Sequence, residues 1–398
     1  MPHRSWTEPT QLTIFHLVQP VEGGVARVVT DLVRAQAAEG FRPVVACPPG
    51  GALAADAAAA GAGVLAWPAV RAPGPRLATE LLTAARLIRR SRPHLVHAHS
   101  AKAGLVARLA VRGRVPTVFQ PHAWSFDAVE GRTAELALKW ERYGTRWSTR
   151  TLCVSETERQ AGENAGIAAR WAVIRNGIDL RHFGPDDGAG PDDGAGRASA
   201  RAGLPQLNGF PATMPLVVCV GRLCRQKGQD ILLRAWPQVR AGVPEARLVL
   251  VGDGPDREQL TQLAPPSVLF VGESRDTRPW LRAADVVVLP SRWEGMALAP
   301  LEAMACGRPV VVSDVSGARE SLPPGHEEFG LVPPDNPQAL AAALTRLLTQ
   351  PELRDELGRQ AQSHTRATCD VRTTATAVSG LYQDLLDSPH PMTRKRTP

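Results

Sequence analysis

Lysine is nearly missing from this sequence of 398 residues. Of its 46 basic residues only Lys102, Lys139, Lys227 and Lys395 are lysines. Wherever a compact ammonium replaces the usual guanidinium, a specific reason is worth seeking. Long apolar runs are lacking too, and none reaches the roughly 20 residues that cross a bilayer. The opening M-P-H-R-S-W-T-E-P-T has no apolar secretory segment, so the chain is expected to fold and stay in the cytoplasm. No two of the six cysteines stand in C-x-x-C spacing, which removes the usual zinc and redox frameworks. Cys47, Cys153, Cys219, Cys224, Cys306 and Cys369 lie mostly in or beside apolar runs and read as small buried side chains. There is no D-x-D, so that spacing of carboxylates for a divalent cation is missing. Basic runs interleaved with aromatics are absent as well, and with them a platform for nucleic acid.

What is present describes a globular chain of two or three domains, 43% hydrophobic and 21% charged. Its net charge of +7 is unevenly spread. Residues 1–183 hold 23 basic and 14 acidic side chains, whereas the remainder holds 23 and 25. A basic first half suits an anionic membrane surface or an acidic acceptor, although a solvated arginine-rich face accounts for it more simply.

Strand-like apolar runs at residues 12–18, 43–47, 64–67, 95–97, 117–119 and 152–155 alternate with helical periodicity at 28–35, 77–90, 103–111 and 134–150. Such alternation predicts a parallel, doubly wound sheet whose ligands lie beyond the carboxyl ends of the strands. Gly23 and Gly24 follow the first run and permit close backbone approach. His122, just past the run at 117–119, is placed at a ligand edge, while His97 and His99 read as structural. Trp140, Tyr143 and Trp147 line one face of the helix expected over 134–150, chiefly for core packing and alternatively for membrane contact.

G-P-D-D-G-A, repeated in tandem from Gly184, is too polar to bury a core and reads as a linker over 184–199. The pattern then restarts. The run at 216–220 leads into G-R-L-C-R-Q-K-G, Gly221 to Gly228, a strand–glycine loop–helix arrangement that suits phosphate and carries Arg222 and Lys227. Gly252-Asp253-Gly254 begins a dinucleotide fingerprint, but Arg257 stands where its third glycine belongs.

The stretch S-R-W-E-G-M-A-L-A-P-L-E-A-M-A, residues 291–305, is the focus of this half. An apolar strand over 285–289 feeds it, Pro300 suits the first position of a short helix, and Glu302 falls in its first turn. Glu294 and Glu302 would then face one mouth beside free backbone amides, able to hold hydroxyl groups and phosphate. Either glutamate alone would be ordinary dipole compensation, so the pairing and its context carry the reading.

Four motifs occur in order: G-G-V at 23–25, N-G-I-D at 176–179, G-R-x-x-x-x-K-G at 221–228 and E-x7-E from Glu294 to Glu302. On these the chain resembles the retaining glycosyltransferases of family 4, or group 1, which have the two-domain GT-B fold. The resemblance covers nearly the whole chain. It implies α/β architecture with two Rossmann-like domains facing a cleft: an acceptor-side domain over 1–183, rejoined by a helix near 370–388, and a donor domain over 200–369. Residues 389–398, with Arg394-Lys395-Arg396, would be a disordered tail.

The resemblance further implies transfer of a sugar from a nucleotide diphosphate donor to a polysaccharide, lipid-linked or small-molecule acceptor, with retention and without a metal or other cofactor. In it Gly23 and Gly24 lie near donor phosphate and acceptor, and His122 near the transferring sugar. Arg222 and Lys227 neutralise the diphosphate, Glu294 contacts sugar hydroxyls, and Glu302 holds the ribose. Met296, Ala297 and Leu298 offer amides, and Gly272 to Arg275 border the base. No separate catalytic base is required. His94 departs from the pattern, standing where many relatives have an acidic residue. Two other readings are a nucleotide-sugar epimerase of the same fold, against which the E-x7-E pair speaks, and a non-catalytic sugar-binding protein, against which the presence of Glu294, Glu302, Arg222 and Lys227 speaks.

Overall fold

The computed structural model describes residues 11–71, 74–184 and 195–387. The core of the tandem repeat and the basic tail lie outside the described residues. Contacts divide the chain into two units. The first comprises Met1–Cys153, Arg159–Ile174 and Ala375–Pro398; the second comprises Val154–Glu158 and Arg175–Thr374.

The first unit alternates strand and helix: β1 (Thr13–Val18), α1 (Gly23–Ala38), β2 (Arg42–Cys47), α2 (Leu53–Ala59), β3 (Gly63–Ala66), α3 (Leu77–Ser91), β4 (Leu95–His99), α4 (Ser100–Val111), β5 (Thr117–Gln120), α5 (Gly131–Gly144), β6 (Arg150–Cys153), α6 (Glu156–Asn164) and β7 (Trp171–Val173). All seven strands are parallel, in the order β3-β2-β1-β4-β5-β6-β7. Both faces of the sheet are covered, by a cluster around Val29, Val33 and Leu53 and another around Trp67, Ala84 and Val106. Strands buried on two faces need near-continuous apolar residues, which is how β1 and β4 read apart from their histidines.

The second unit holds α7 (Leu180–Phe183), α8 (Ala195–Ala202), β8 (Leu216–Val220), α9 (Gln229–Gly242), β9 (Arg247–Val251), α10 (Arg257–Leu263), β10 (Val268–Gly272), α11 (Arg278–Ala283), β11 (Val286–Leu289), α12 (Leu298–Ala305), β12 (Val310–Ser313), α13 (Ala318–Ser321), α14 (Glu327–Gly330), β13 (Leu331–Val332), α15 (Pro337–Thr349) and α16 (Pro351–Thr368). α17 (Val371–Asp387) follows, with Ala375 onward counted in the first unit. Six parallel strands run in the order β10-β9-β8-β11-β12-β13. Each sheet therefore reverses its strand order once, between β1 and β4 or between β8 and β11, and ligands of such sheets bind beyond that switch point.

Two sequence expectations are corrected here. The helix expected over 134–150 stops at Gly144, gives way to a 3₁₀ turn at Thr145–Trp147, and Arg150 already belongs to β6. A Cβ at Gly144 would meet the buried guanidinium of Arg108 at 3.0 Å, so the chain turns where only glycine fits. Arg108 is packed 3.9 Å from the centre of the Phe119 ring and paired with Glu141 at 2.8 Å. Second, α12 starts at Leu298, which makes Pro300 its third residue and moves Glu302 out of the first turn to the fifth position. No carboxylate occupies that first turn.

Candidate functional site

In the second unit the loops after β8 and β11 meet at the switch point, and three devices hold them together. Gly228 has φ +67, and a Cβ there would fall 2.0 Å from the Pro290 carbonyl oxygen, so the glycine loop closes onto the β11 loop only without a side chain. The Arg292 guanidinium donates to both carboxylate oxygens of Asp230 at 2.8 and 2.7 Å, to Asp335 at 2.8 Å and to the Arg225 carbonyl at 2.8 Å. Burial alone would raise the Asp230 carboxyl, but Arg292 outweighs it and holds the group below its usual range. The Arg292 amide donates to the Gln226 carbonyl at 2.8 Å, and the Gln226 side chain to the Trp293 carbonyl at 3.1 Å.

This stapling brings Lys227 to Glu294. The ammonium donates to Glu294 Oε1 at 2.5 Å, and Ser291 Oγ donates to the same oxygen at 2.7 Å. Glu294 Oε2 takes no hydrogen bond among the described residues, so one carboxylate oxygen is anchored and the other is free for a ligand hydroxyl. The Arg222 side chain is exposed and makes no ion pair among the described residues, while its carbonyl accepts from Gln229 at 3.0 Å. Glu302 is 5% exposed, in the body of α12.

Between Glu294 and α12 the backbone is held from behind. The Gly295 carbonyl accepts from Ser155 Oγ at 3.0 Å, and the Met296 carbonyl from Asn176 Nδ2 at 2.8 Å. Met296 and Leu298 are buried and Ala297 half-buried; Ala297 is the N-cap of α12, and no side chain caps the helix. Its first amides are thus left for a ligand, at the positive end of the dipole. N-G-I-D now has a structural account. Asn176 holds Met296, Gly177 passes within 2.6 Å (at its missing Cβ) of the Val371 nitrogen, and Asp179 caps α7 by accepting from Arg181 and His182. Gly272 closes β10 with φ +78, its carbonyl accepting from Gly252, and Arg275 is exposed in the loop that follows.

In the first unit Gly23 and Gly24 open α1 and are exposed, Gly23 with φ +75. His122, half-buried, follows β5 with φ 57, and Ala123 has φ 117, a pair of left-handed backbones that turns the imidazole back over β4. Its Nε2 lies 3.1 Å from His99 Nδ1. His99 Nε2 lies 3.1 Å from His16 Nδ1, and His16 Nε2 lies 2.9 Å from Gln36 Oε1. His97 is the register partner of His16, and its Nδ1 meets the Tyr382 hydroxyl at 2.5 Å. Burial pushes His16 down to about 4 and His122 to about 3, and burial with neighbouring histidines lowers His97 and His99 well below the usual value. His16, His97 and His99 have ring nitrogens within 4.8 Å of one another, but both nitrogens of His16 and both of His99 are engaged in hydrogen bonds, leaving no shared lone pairs for a cation. His94 Nδ1 accepts from the Thr13 amide at 2.9 Å, doing with a ring nitrogen what a carboxylate would do there.

Sequence reasoning brought Arg222, Lys227, Glu294 and Glu302 into one half, and the structure pairs Lys227 with Glu294 directly. It passed over Ser291, Arg292, His16 and Gln36. Nothing local marks Gln36 on α1 as more than a helix residue, whereas a histidine inside the apolar strand T-I-F-H-L-V was a visible signal.

Two family models match: Glycosyltransferase Family 4 over residues 22–182 and Glycosyl transferases group 1 over 214–350. A Bacillus subtilis protein named as a putative teichuronic acid biosynthesis glycosyltransferase, TuaC, is 31% identical over 300 residues, 73% of this chain and 70% of that protein. The chain belongs to the group 1, family 4 glycosyltransferases. Among its relatives is an Escherichia coli UDP-Gal:alpha-D-GlcNAc-diphosphoundecaprenol alpha-1,3-galactosyltransferase, 32% identical over 60% of this chain and spanning 62% of that protein's length. Among solved structures, Anabaena Alr3699/HepE in complex with UDP and glucose superimposes with a TM-score of 0.78 over 94% of this chain and 100% of that one, at 23% identity. The fold is GT-B, with seven- and six-stranded parallel sheets.

Proposed function

We propose that this family member transfers a hexosyl group from a nucleotide diphosphate sugar to a hydroxyl of an acceptor, with retention and without a metal ion. The observation that carries the reading is the anchored Lys227–Glu294 pair at the switch point of the second unit, beside the uncapped start of α12. Arg222 and Lys227 supply the positive charge that a departing nucleoside diphosphate needs, so a divalent cation has no task left there. The amides of Met296, Ala297 and Leu298 receive phosphate and sugar oxygens. Glu294 Oε2 accepts sugar hydroxyls, Glu302 holds the ribose, and Gly272 and Arg275 border the base. Gly23, Gly24 and His122 serve the transferring sugar and the acceptor.

The relatives' names support a UDP- or GDP-linked sugar donor and a lipid-linked or polysaccharide acceptor. An acceptor of that kind fits peripheral contact of the basic first half with an anionic membrane at its cytoplasmic face. Tyr143, 46% exposed with Arg146 3.7 Å from its ring centre, marks one place for such contact. No helix among the described residues is long and apolar enough to cross a membrane.

The test is calorimetry of UDP-glucose, UDP-galactose and GDP-mannose with the full chain and with Lys227→Ala and Glu302→Ala. Each substitution should weaken the preferred donor about tenfold or more, the scale of one charge-assisted contact. Unchanged affinity in both variants would remove the assignment. Transfer should persist in chelator, and NMR of the product should show the donor's anomeric configuration.

A further inference from the structure

Three imidazoles of the first unit stand in line at its switch point, from Gln36 through His16 and His99 to His122. A neutral imidazole has one N–H and one lone pair, so every ring in such a row must point the same way. Gln36 sets the sense. Its Oε1 can only accept, which puts the His16 proton on Nε2 and leaves Nδ1 as an acceptor. His99 then donates from Nε2 and accepts at Nδ1, and His122 donates from Nε2. The Gln36 amide nitrogen is buried and has no hydrogen-bond partner among the described residues, while its side chain acts on the Tyr382 hydroxyl, which is itself hydrogen-bonded to His97 Nδ1.

We propose that Gln36, His16 and His99 are positioning residues that fix His122 in one tautomer, Nε2 protonated and Nδ1 bare, so that it offers a neutral acceptor to a hydroxyl of the sugar. The identity of that hydroxyl rests on the transferase reading; the tautomer does not. A bare nitrogen takes an O–H and turns away phosphate oxygens, which themselves only accept. Burial keeps every ring of the row neutral, as the relay requires.

The experiment is long-range proton–nitrogen NMR of the full chain labelled with 15N-histidine, at neutral pH, with His122→Asn to assign the signal. An His122 ring protonated on Nε2 alone supports the relay; a proton on Nδ1, or an averaged mixture of the two forms, overturns it. The second arm is Gln36→Met, which keeps the bulk and removes the acceptor. In a folded Gln36→Met chain the His122 signal should become mixed, and kcat for release of the nucleoside diphosphate from the preferred donor should fall about tenfold or more at little-changed KM, as when a histidine of the active site loses its tautomer. Unaltered tautomer and unaltered kcat would sink the proposal. Should Gln36→Met fail to fold, the wild-type spectrum decides alone. The expected tautomer in a chain that transfers no sugar would uphold the relay and count against the transferase.

Discussion

Ala123 is the residue on which the backbone makes its largest demand. A φ of 117 is a region that side chains avoid, and its neighbour His122 sits at φ 57. Each such residue costs about 1–3 kcal/mol and persists only where the surroundings insist on it. Ala123→Gly should therefore raise the melting free energy by about 1 kcal/mol, part of the relief being offset by the freer unfolded chain. A thermal melt that shows a loss instead would mean that the Ala123 methyl has a packing role outweighing the strain. Asn176 makes the opposite case. Its amide holds the Met296 carbonyl in a buried place, so Asn176→Ala should cost about 1–3 kcal/mol by stranding that oxygen, and should weaken donor binding along with stability. Stability lost with donor affinity intact would show that the β11 loop does not need this anchor for binding. Residues of this kind were half legible. N-G-I-D could be noticed in the sequence, but what Asn176 touches lies 120 positions away and no local pattern encodes it.

At the scale of elements, strand and helix existence could be read because strands buried on both faces and amphipathic helices leave different periodicities. Their ends could not. Pro300 was placed at the first helical position, yet all the first amides of a helix lack internal partners, so its third residue tolerates proline as well. The aromatic spacing of Tyr143 and Trp147 continued the helical pattern past Gly144, where tertiary packing of Arg108 ends it. The staple between the glycine loop and the β11 loop was invisible for the same reason: Arg292 and Asp335 come from two separate connections and Asp230 from the first turn of α9. Arg292→Lys tests how much that staple matters. A single ammonium cannot reach two carboxylates and a carbonyl at once. The variant should lose about 1–3 kcal/mol and bind the donor more weakly, because Lys227 and Glu294 would no longer be held in register. Retained donor affinity in Arg292→Lys would mean that Gly228 and the Pro290 turn suffice to set the loops.

For the molecule as a whole, the two units should respond to acid in a definite order. In the first, His16 titrates near 4 when folded and near 6.5 when unfolded, His122 near 3, and His97 and His99 well below their usual value. The groups acting on them are one another, Gln36, Gln120 and the Tyr382 hydroxyl, with no carboxylate among the described residues named against them to offset the burial. As pH falls below 6.5 the unfolded chain takes up protons that the folded unit refuses. Stability is therefore complete above that value and drains toward about 4, at up to about 1.4 kcal/mol per pH unit for each fully buried ring. In the second unit the held groups are carboxylates. Asp230 is kept low by Arg292 against its burial, Glu320 by the amides of Glu156 and Thr157 and by Arg175 against its burial, and Asp370 by Arg372. Their stabilisation is present above their ordinary values of 3.8 to 4.5 and is lost only as pH falls through that lower range. His364, half-buried and also lowered by burial, adds one weak titration to the second unit in the upper window. Hydrogen exchange, corrected for intrinsic rates and followed by mass spectrometry on descending pH, should show β1 and β4 losing protection first while β8 and β11 keep theirs. Loss of β8 and β11 before β1, or both at one pH, would mean that the buried histidines are protonated or solvated in the folded chain, and the row from Gln36 to His122 would no longer have a fixed sense.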